Sequence, residues 1–259
     1  RSLGSIISFS FFITKQMKTD LQAGQISGTL PILYVFLARS GMTIRSVSPI
    51  SLDDKGASYF ANENPGPNAT RGVRIIFAGS DGQERTLYYF STDLSNSGVK
   101  ASGFLKFCAT LAPGNSLIKS ASYLLHTGDF TTVRNFILNN SATIIQDDSG
   151  IPLVYYNAKR WRFFPFGRYA GPIEKFPGRH QHSYAELFRK AQPMDFGIGY
   201  RWRTQESNLL LSVKLPDDGT GANDAVALDA PPPKPVRPRA PRPPAPLGWP
   251  QGGFFWFGR

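Results

Sequence analysis

The distribution of proline limits most strongly what this chain can fold into. Residues 231–246 are proline at nine of sixteen positions, with lysine and arginine between them. Proline fixes φ and lacks an N–H donor, so this segment favours an extended, solvated polyproline II backbone over a helix or an inner strand. Residues 216–230, which precede it, are acidic, small and aperiodic, as is typical of a linker. We therefore predict one globular α/β domain over residues 1–215 and a disordered Pro/Arg-rich tail over residues 216–259.

Composition narrows the class of protein further. The chain has 259 residues, 41% of them hydrophobic, and carries 29 lysines and arginines against 18 aspartates and glutamates, a net charge of +11. This apolar content excludes wholesale disorder, and no apolar run approaches the ~18 residues of a membrane span. The single cysteine, Cys108, excludes an internal disulfide and a cysteine-built zinc site, and we expect it to be a small buried side chain. We predict folding without a cofactor or a metal.

The beginning of the chain has the character of a domain interior. Residue 1 is arginine, and no charged segment followed by an apolar core and a cleavage site marks a signal peptide. Phe9, Phe12 and Ile13 recur at helical spacing, which predicts an apolar helix over residues 3–22. Such a helix needs packing partners, so we expect this chain to lack upstream residues of the domain.

The order of predicted elements indicates the fold class. Apolar periodicity and turn residues predict helices over residues 3–22, 29–40, 104–111, 130–139 and 183–190. Strands are predicted over residues 42–50, 73–78, 85–90, 142–146, 153–156, 161–166 and 209–214, while residues 116–125 fit either a strand or a buried helix. Helices and strands interleave in the first 150 residues, and strands dominate afterwards. We predict an α/β fold with a three-layer mixed sheet and an antiparallel C-terminal extension, with α+β as the alternative.

Candidate catalytic residues follow the predicted strands. Asp93, His126, Asp147 and Asp148 each come shortly after one. Ligands of open α/β sheets bind beyond the carboxyl ends of the strands, so parallel strands would bring these groups to one cleft. Carboxylates and an imidazole in one cleft fit the general acid–base chemistry of a hydrolase or a transferase. The adjacent carboxylates also fit Mg²⁺ or Ca²⁺.

A structural interpretation of the same residues is favoured by the sequence. Asp, Ser, Asn and Gly after strands are common turn residues, because their side chains bond the local backbone. Residues 147–150, Asp-Asp-Ser-Gly, fit a hairpin turn between Ile145 and Leu153, and His126 fits a loop that enters the next helix. The sequence contains no nucleophile-elbow, phosphate-loop or zinc-protease motif.

The most unusual part of the predicted domain combines positive charge with aromatic rings. Residues 155–169 contain four basic and seven aromatic side chains, and Arg-Trp-Arg recurs later. Cations interleaved with rings suit single-stranded nucleic acid or another anionic polymer. The alternative is an amphipathic strand, in which Trp161, Phe163 and Pro165 fill the core and the arginines face water. The predicted anion-binding residues are Arg160, Arg162, Arg168, Arg201 and Arg203.

Two further features carry less information. His180 and His182 flank Gln181 and fit a surface loop better than a metal site. In the tail, residues 232–237 match P-x-x-P-x-Arg, a pattern by which a polyproline helix docks on another protein. A simple spacer fits this segment equally well.

Six segments together resemble a family of uncharacterised bacterial proteins that are often predicted to be exported. They are RSLGSIISFSFF at 1–12, GTLPILYVFLAR at 28–39, LYYFSTDLS at 87–95, KSASYLLH at 119–126, IIQDDSGIP at 144–152 and FGIGYRW at 196–202. They cover the predicted domain in order, and the tail lies outside the resemblance. Family members carry further upstream residues with the export signal, in agreement with the internal character of Arg1. The resemblance implies a periplasmic or cell-envelope location, with the cytoplasm as the alternative, and brings no activity with it.

These features predict a non-enzymatic cell-envelope protein. It would bind an anionic polymer or envelope component through its basic aromatic surface and its tail, and the tail would also contact another protein. The alternative is a hydrolase or transferase with Asp93, His126, Asp147 and Asp148 in one cleft. A nucleic-acid binder is a third interpretation, which requires the arginines of residues 155–169 on one exposed face.

Overall fold

A computed structural model describes residues 9–13, 26–60, 63–66, 69–111, 113–198, 205–216 and 255–258. Its strands are β1 (Phe9–Ile13), β2 (Thr43–Leu52), β3 (Ser58–Phe60), β4 (Thr70–Ala78), β5 (Glu84–Phe90), β6 (Gly114–Ser120), β7 (Ser141–Gln146), β8 (Trp161–Gly167), β9 (Asn208–Lys214) and β10 (Phe255–Gly258). Its α-helices are α1 (Ile26–Arg39), α2 (Asn96–Ala101), α3 (Phe104–Ala109), α4 (Thr131–Asn140) and α5 (His182–Leu187). Short 3₁₀ helices span Ala121–His126, Gly128–Phe130, Leu153–Tyr155, Pro177–Arg179 and Phe188–Lys190.

The described strands form one mixed sheet, in the order β3-β2-β4-β5-β10-β1-β6-β7-β9-β8. Strand β6 is parallel to both of its neighbours, β1 and β7. Strand β5 runs in the same direction, because β10 is antiparallel to both β5 and β1. The carboxyl ends of β5, β6 and β7 therefore lie at one edge of the sheet. The predicted mixed α/β fold is confirmed, and β9 and β8 form the antiparallel extension predicted toward the C-terminus.

Strands β6, β7 and β9 bury one face and leave the other half-exposed. Ile118, Ile144 and Leu210 are at most 1% exposed and belong to the core. Residues adjacent to them in the chain, such as Leu117 and Leu211, are half-buried. This alternation is expected of a pleated strand, in which successive side chains point to opposite faces. The half-exposed face thus carries apolar side chains up to the carboxyl ends of β6 and β7.

The helix predicted over residues 3–22 is wrong at residues 9–13, and the rest of that span lies outside the described residues. Residues 9–13 form β1, which pairs with β6 from Phe9 opposite Ser116 to Ile13 opposite Ser120. A short apolar run has no periodicity that separates a helix from a buried strand, so pairing with a neighbouring strand decides the outcome. Residues 116–125, which fitted either element, divide into β6 and the 3₁₀ helix that follows it.

Two predictions after β7 are also wrong. The segment predicted as a strand over residues 153–156 is a 3₁₀ turn, with hydrogen bonds from Tyr155 N to Pro152 O and from Tyr156 N to Leu153 O. Asp-Asp-Ser-Gly is consequently not a hairpin turn, because the antiparallel partner of β7 is β9, far along the chain. Residues 255–258, which belong to the predicted tail, form β10 within the sheet, and residues 217–254 of that tail lie outside the described residues.

Whether a helix can cross a membrane depends on its length and its apolar content. No helix within the described residues combines the length and the apolar content needed to cross a bilayer. The longest of the helices listed above is α1, which has 14 residues. A span would need about 20 residues at 1.5 Å per residue.

A close backbone contact joins the β2–β3 turn to the start of α3. A Cβ atom on Gly103 would lie 2.0 Å from the carbonyl oxygen of Asp53 and 2.4 Å from the backbone nitrogen of Gly56. The Asp53 carboxylate in turn accepts hydrogen bonds from Lys55 N (2.9 Å) and Ala57 N (2.8 Å), so the turn is held tightly. Only glycine fits at residue 103 without moving the backbone.

We expect Gly103→Ala to lower the free energy of unfolding by about 2 kcal/mol, the usual cost of overpacking. Urea unfolding measures this change. Gly178→Ala is the matched control, because no atom lies within 4 Å of a Cβ there, and its effect should stay within about 0.5 kcal/mol. Equal effects of the two substitutions would show that the close contact is not what matters.

Candidate active site at the carboxyl ends of β6 and β7

An ion pair connects the carboxyl ends of β6 and β7. Lys119, in the penultimate position of β6, places its Nζ 2.6 Å from Oδ2 of Asp147, the first residue after β7. The two side chains differ in accessibility, with 29% of the Lys119 side chain exposed but only 3% of that of Asp147. The Asp147 carboxylate is therefore buried, whereas the side chain of its partner Lys119 is partly exposed to solvent. Such pairs are costly to break, because removing one partner leaves a buried charge without compensation.

Ser149 orients the Asp147 carboxylate. Its backbone N donates to Asp147 Oδ1 at 3.1 Å, and its hydroxyl donates to the same oxygen. Ser149 Oγ also lies 3.4 Å from Lys119 Nζ. A carboxylate has about four acceptor positions, and within the described residues three of those on Asp147 are occupied by these donors and Lys119. Oδ2 keeps a position for a further donor.

Asp148 is a buried carboxylate that links three segments of the chain. Tyr123, in the 3₁₀ helix after β6, donates a hydrogen bond from its hydroxyl group to Asp148 Oδ2 at 2.6 Å. Asn208, at the start of β9, donates from Nδ2 to Oδ1 at 3.0 Å and accepts from Asp148 N at 2.8 Å. Burial, followed by the charge of Asp147, raises the pKa of Asp148, while the bonds from Tyr123 and Asn208 oppose this effect. The two adjacent aspartates thus occupy different environments.

The backbone after β6 is strained where it delivers Tyr123. Ser122 (φ 52°) and Tyr123 (φ 55°) are the positive-φ residues other than glycine in the described chain. Left-handed geometry is costly for these residue types, and such strain clusters at functional sites. Tyr123 is fully buried, and its hydroxyl accepts from Ile173 N at 3.2 Å while donating to Asp148. Burial and the charge of Asp148 raise the pKa of Tyr123, which keeps it a hydrogen-bond donor.

The His126 side chain binds the backbone of the loop that follows β7 and carries Asp147 and Asp148. Its Nε2 lies 3.2 Å from the carbonyl oxygen of Asp148. A carbonyl oxygen only accepts, so Nε2 carries the proton. Burial lowers the pKa of His126 to about 4, against the opposing effect of this hydrogen bond, and the charges of Arg179 and Arg134 lower it further. His126 is therefore neutral at pH 7 and positions the loop.

A small cavity opens beside the ion pair on the half-exposed face of the sheet. Its volume is about 120 Å³, and it is lined by Leu117, Ile118, Lys119, Gln146, Asp147, Ile198 and Leu209. The amide of Gln146 is held by two hydrogen bonds with the backbone of Ile151, at 2.7 and 2.8 Å. Lys119 and Asp147 thus supply the charged groups of a cavity that is otherwise mostly apolar.

Asp93 lies at the same edge of the sheet but away from this site. Strands β10, β1 and β6 separate β5 from β7, and four strand spacings of about 4.8 Å amount to about 19 Å. The Asp93 carboxylate accepts from Ser95 N at 2.9 Å and packs against Gly98. Asp93 thus acts as the turn residue of the structural interpretation, whereas His126, Asp147 and Asp148 come together.

Three of the five predicted anion-binding residues, Arg160, Arg162 and Arg168, lie on and around β8, an edge strand. Trp161 is buried and Phe163 packs against the core, where both rings contact Tyr156. Arg162 lies half-buried on the opposite face, and Arg160 and Arg168 are exposed at the two ends of the strand. The predicted amphipathic strand is supported at Trp161 and Phe163, whereas residues 162–167 of β8 are half-buried on both faces. Two further candidates, Arg201 and Arg203, lie outside the described residues.

The remaining sequence candidates, Cys108, His180 and His182, do not line the cavity. Cys108 is 3% exposed, and burial raises the pKa of its thiol, as expected of a small core residue. His180 and His182 are exposed at the start of α5, with ring centroids 4.9 Å apart, and His180 stacks on Tyr169. Among the residues that the structure describes, no three histidine, cysteine, aspartate or glutamate side chains are grouped so as to hold a metal ion.

Comparison with known proteins identifies no relative of this chain. No family model matches the chain, and searches of curated proteins and of solved structures find no match either. The resemblance to a family of exported bacterial proteins therefore stays a prediction. The site is interpreted from its own chemistry.

Several residues of the site were not singled out from the sequence. Tyr123 and Asn208 had no local signal, because the role of Tyr123 depends on pairing between β6 and β7 and that of Asn208 on pairing between β7 and β9. Lys119 had one, since a charged residue near the end of an otherwise apolar and serine-rich strand is unusual. Because residues 116–125 fit either a strand or a helix, the sequence does not place Lys119 at the end of a strand.

The depressed pKa of His126 predicts a pH dependence of stability. Between pH 4 and 6.5 the unfolded chain binds more protons at this residue than the folded chain, so its contribution to stability rises with pH. We expect the wild-type protein to lose about 2 kcal/mol of this contribution between pH 7 and pH 5. Urea unfolding of the wild type and of His126→Gln at both pH values measures the difference. The exposed His182→Gln is the control, and a wild-type pH dependence in His126→Gln would contradict the assignment.

Proposed function

We propose that this protein is a hydrolase whose active site is the Lys119–Asp147 pair beside the cavity. One observation carries the proposal: a buried carboxylate is paired at 2.6 Å with a partly exposed ammonium group, and both line a small, mostly apolar cavity. A titratable pair in a cleft at the carboxyl edge of parallel strands is the usual setting for acid–base chemistry in α/β proteins. Strain at Ser122 and Tyr123 next to the pair adds support.

The charges at the site favour a neutral substrate. Beside the cavity, the Lys119 ammonium group is paired with the Asp147 carboxylate, so these two charges offset each other. A phosphate dianion would have to compete with the Asp147 carboxylate for Lys119. An ester or amide carbonyl carries no charge until it reacts, and it then develops negative charge on oxygen that a nearby ammonium group stabilises. We therefore assign carboxylic esters as the substrate class to be tested first.

The proposed step is general-base hydrolysis. A water molecule bound to Asp147 Oδ2 gives a proton to the carboxylate as its oxygen attacks the carbonyl carbon. The carbonyl oxygen becomes an oxyanion beside Lys119 Nζ. Collapse of the tetrahedral intermediate breaks the bond to the alcohol oxygen, which takes the proton back from Asp147. Ester and water thus yield acid and alcohol, and the Asp147 carboxylate is regenerated. An acceptor hydroxyl in place of water would make the same site a transferase.

The surrounding residues have positioning roles in this proposal. Ser149 fixes the rotamer of Asp147, while Tyr123, Asn208 and His126 hold the loop through Asp148. None of them needs to touch the substrate. Their contribution is to keep the base within hydrogen-bond reach of the reacting water, which is the geometric requirement for general-base catalysis.

We expect Asp147→Asn to lower kcat/KM for p-nitrophenyl butyrate at least about 100-fold, because general-base catalysis contributes a factor of this size. Lys119→Met should cause a comparable loss, and Lys119→Arg, which keeps the charge, should retain more activity than Lys119→Met. Release of p-nitrophenolate is followed spectroscopically, and circular dichroism checks that each variant is folded.

Asp93→Asn is the control for this experiment. Its side-chain oxygen still accepts from Ser95 N, so the turn before α2 is preserved, and we expect wild-type activity. Full activity of folded Asp147→Asn would remove the proposed base. A loss in Asp93→Asn equal to that in Asp147→Asn would favour the single wide cleft predicted from the sequence.

A second candidate function is the binding of an anionic polymer or envelope component. It is supported by the position of Arg160, Arg162 and Arg168 on and around an edge strand in which Trp161 is buried and Phe163 packs against the core. In this proposal the basic tail adds affinity, and the protein works in the periplasm or cell envelope, a location supported by the resemblance. Cell fractionation tests the location, and recovery with cytoplasmic markers would contradict it.

The polymer-binding candidate predicts retention on a heparin column. Replacement of Arg160, Arg162 and Arg168 by glutamine should shift elution to lower salt, because each lost contact weakens the salt-dependent part of binding. The control replaces three other exposed arginines, on or at the ends of α1, β2 and β4, which removes the same charge: Arg39, Arg45 and Arg71. Equal shifts would show a response to net charge alone and would contradict a specific surface.

A further inference from the structure

We infer that the acyl group of the substrate is short, about four or five carbon atoms, and that the cavity between Leu117, Ile198 and Leu209 holds it. This inference rests on the proposed hydrolase function and deepens it by defining the substrate class. It is carried by the size of the cavity, the chemistry of its walls and the direction in which they extend from the ion pair.

The volume of the cavity sets the size of the group. It measures about 120 Å³, whereas an apolar cavity of about 150 Å³ accommodates a benzene ring. A group slightly smaller than benzene therefore fills the space. Long acyl chains would have to leave it and extend into solvent.

The apolar wall begins beside the ion pair at Leu209 and continues away from it along β6 at Leu117. Leu117 and Lys119 are two residues apart on the same face of β6, so they are separated by about 7 Å along the strand. Leu209 of β9 lines the same space, one residue before Leu210, which pairs with Gln146 at the end of β7. A carbonyl group placed at Lys119 would thus direct its acyl chain along Leu117 and Leu209.

The third wall is fixed in position by a buried serine. Ser207, which is fully buried, accepts from Ile198 N at 2.9 Å and donates to Ile198 O at 3.2 Å. Both backbone groups of Ile198 are thereby tied to the residue that precedes β9. Because these two hydrogen bonds hold the backbone of Ile198 in place, Ile198 limits the size of the cavity. We therefore expect the cavity to discriminate between acyl chains of different length.

The test is a series of p-nitrophenyl esters with acetate, butyrate, hexanoate and decanoate as the acyl group. We expect the wild-type kcat/KM to be highest for butyrate or hexanoate and at least tenfold lower for decanoate. Leu209→Ala enlarges the cavity and should raise the decanoate-to-butyrate ratio about tenfold, since one or two methylene groups in an apolar pocket change selectivity by this factor or more.

Leu211→Ala is the matched control. Leu211 lies on the same strand and face as Leu209 but does not line the cavity, so the ratio should stay at the wild-type value. Hydrolysis of all esters without a chain-length preference, or an equal shift in both variants, would overturn the inference and leave the hydrolase proposal standing. Failure of the wild type to hydrolyse any ester would overturn the proposed function itself.

Discussion

The carboxylate of Asp148 is the interaction on which the arrangement of the site depends. It is buried where β6, β7 and β9 meet, and it receives Tyr123 from one side and Asn208 from the other. The backbone carbonyl oxygen of Asp148 also accepts a hydrogen bond from Gln181 Nε2 at 3.2 Å, which connects the loop to the segment before α5. A buried carboxylate is tolerated only when donors surround it. Because Asp148 is fixed in this way, the adjacent Asp147 points toward Lys119 and the cavity.

The two aspartates illustrate how neighbouring residues of one type acquire different roles. Asp148 is enclosed by neutral donors and holds the loop, whereas Asp147 is paired with a cation that reaches solvent. Divergent environments of this kind distinguish structural from reactive carboxyl groups in many enzymes. Here Asp148 lies in the interior and supports the loop, whereas Asp147 lies at the cavity, where the proposed chemistry would take place.

Local patterns in the sequence predicted a substantial part of this structure. The sequence predicted that Asp147, Asp148 and His126 lie together, because polar residues after strands collect at one edge of a sheet. The alternation of Trp161, Arg162 and Phe163 predicted a strand, which is β8. Local patterns failed where a distant partner decides the outcome: β1 is a strand because it pairs with β6, and Asp-Asp-Ser-Gly is not a hairpin because β7 pairs with β9. Asp93 was grouped with the others because strand order across a sheet is not visible in a single sequence.

The hydrogen bonds between Asp148 and Asn208 join residues sixty positions apart. Contacts of such separation form only after a large loop has closed, which makes them late events in folding. During synthesis, a growing chain in which β9 has not yet emerged cannot fix the loop that carries Asp147. A fragment that ends before β9 therefore lacks the Asn208 side chain that fixes this loop. Under the hydrolase proposal, such a fragment would lack an organised Lys119–Asp147 pair.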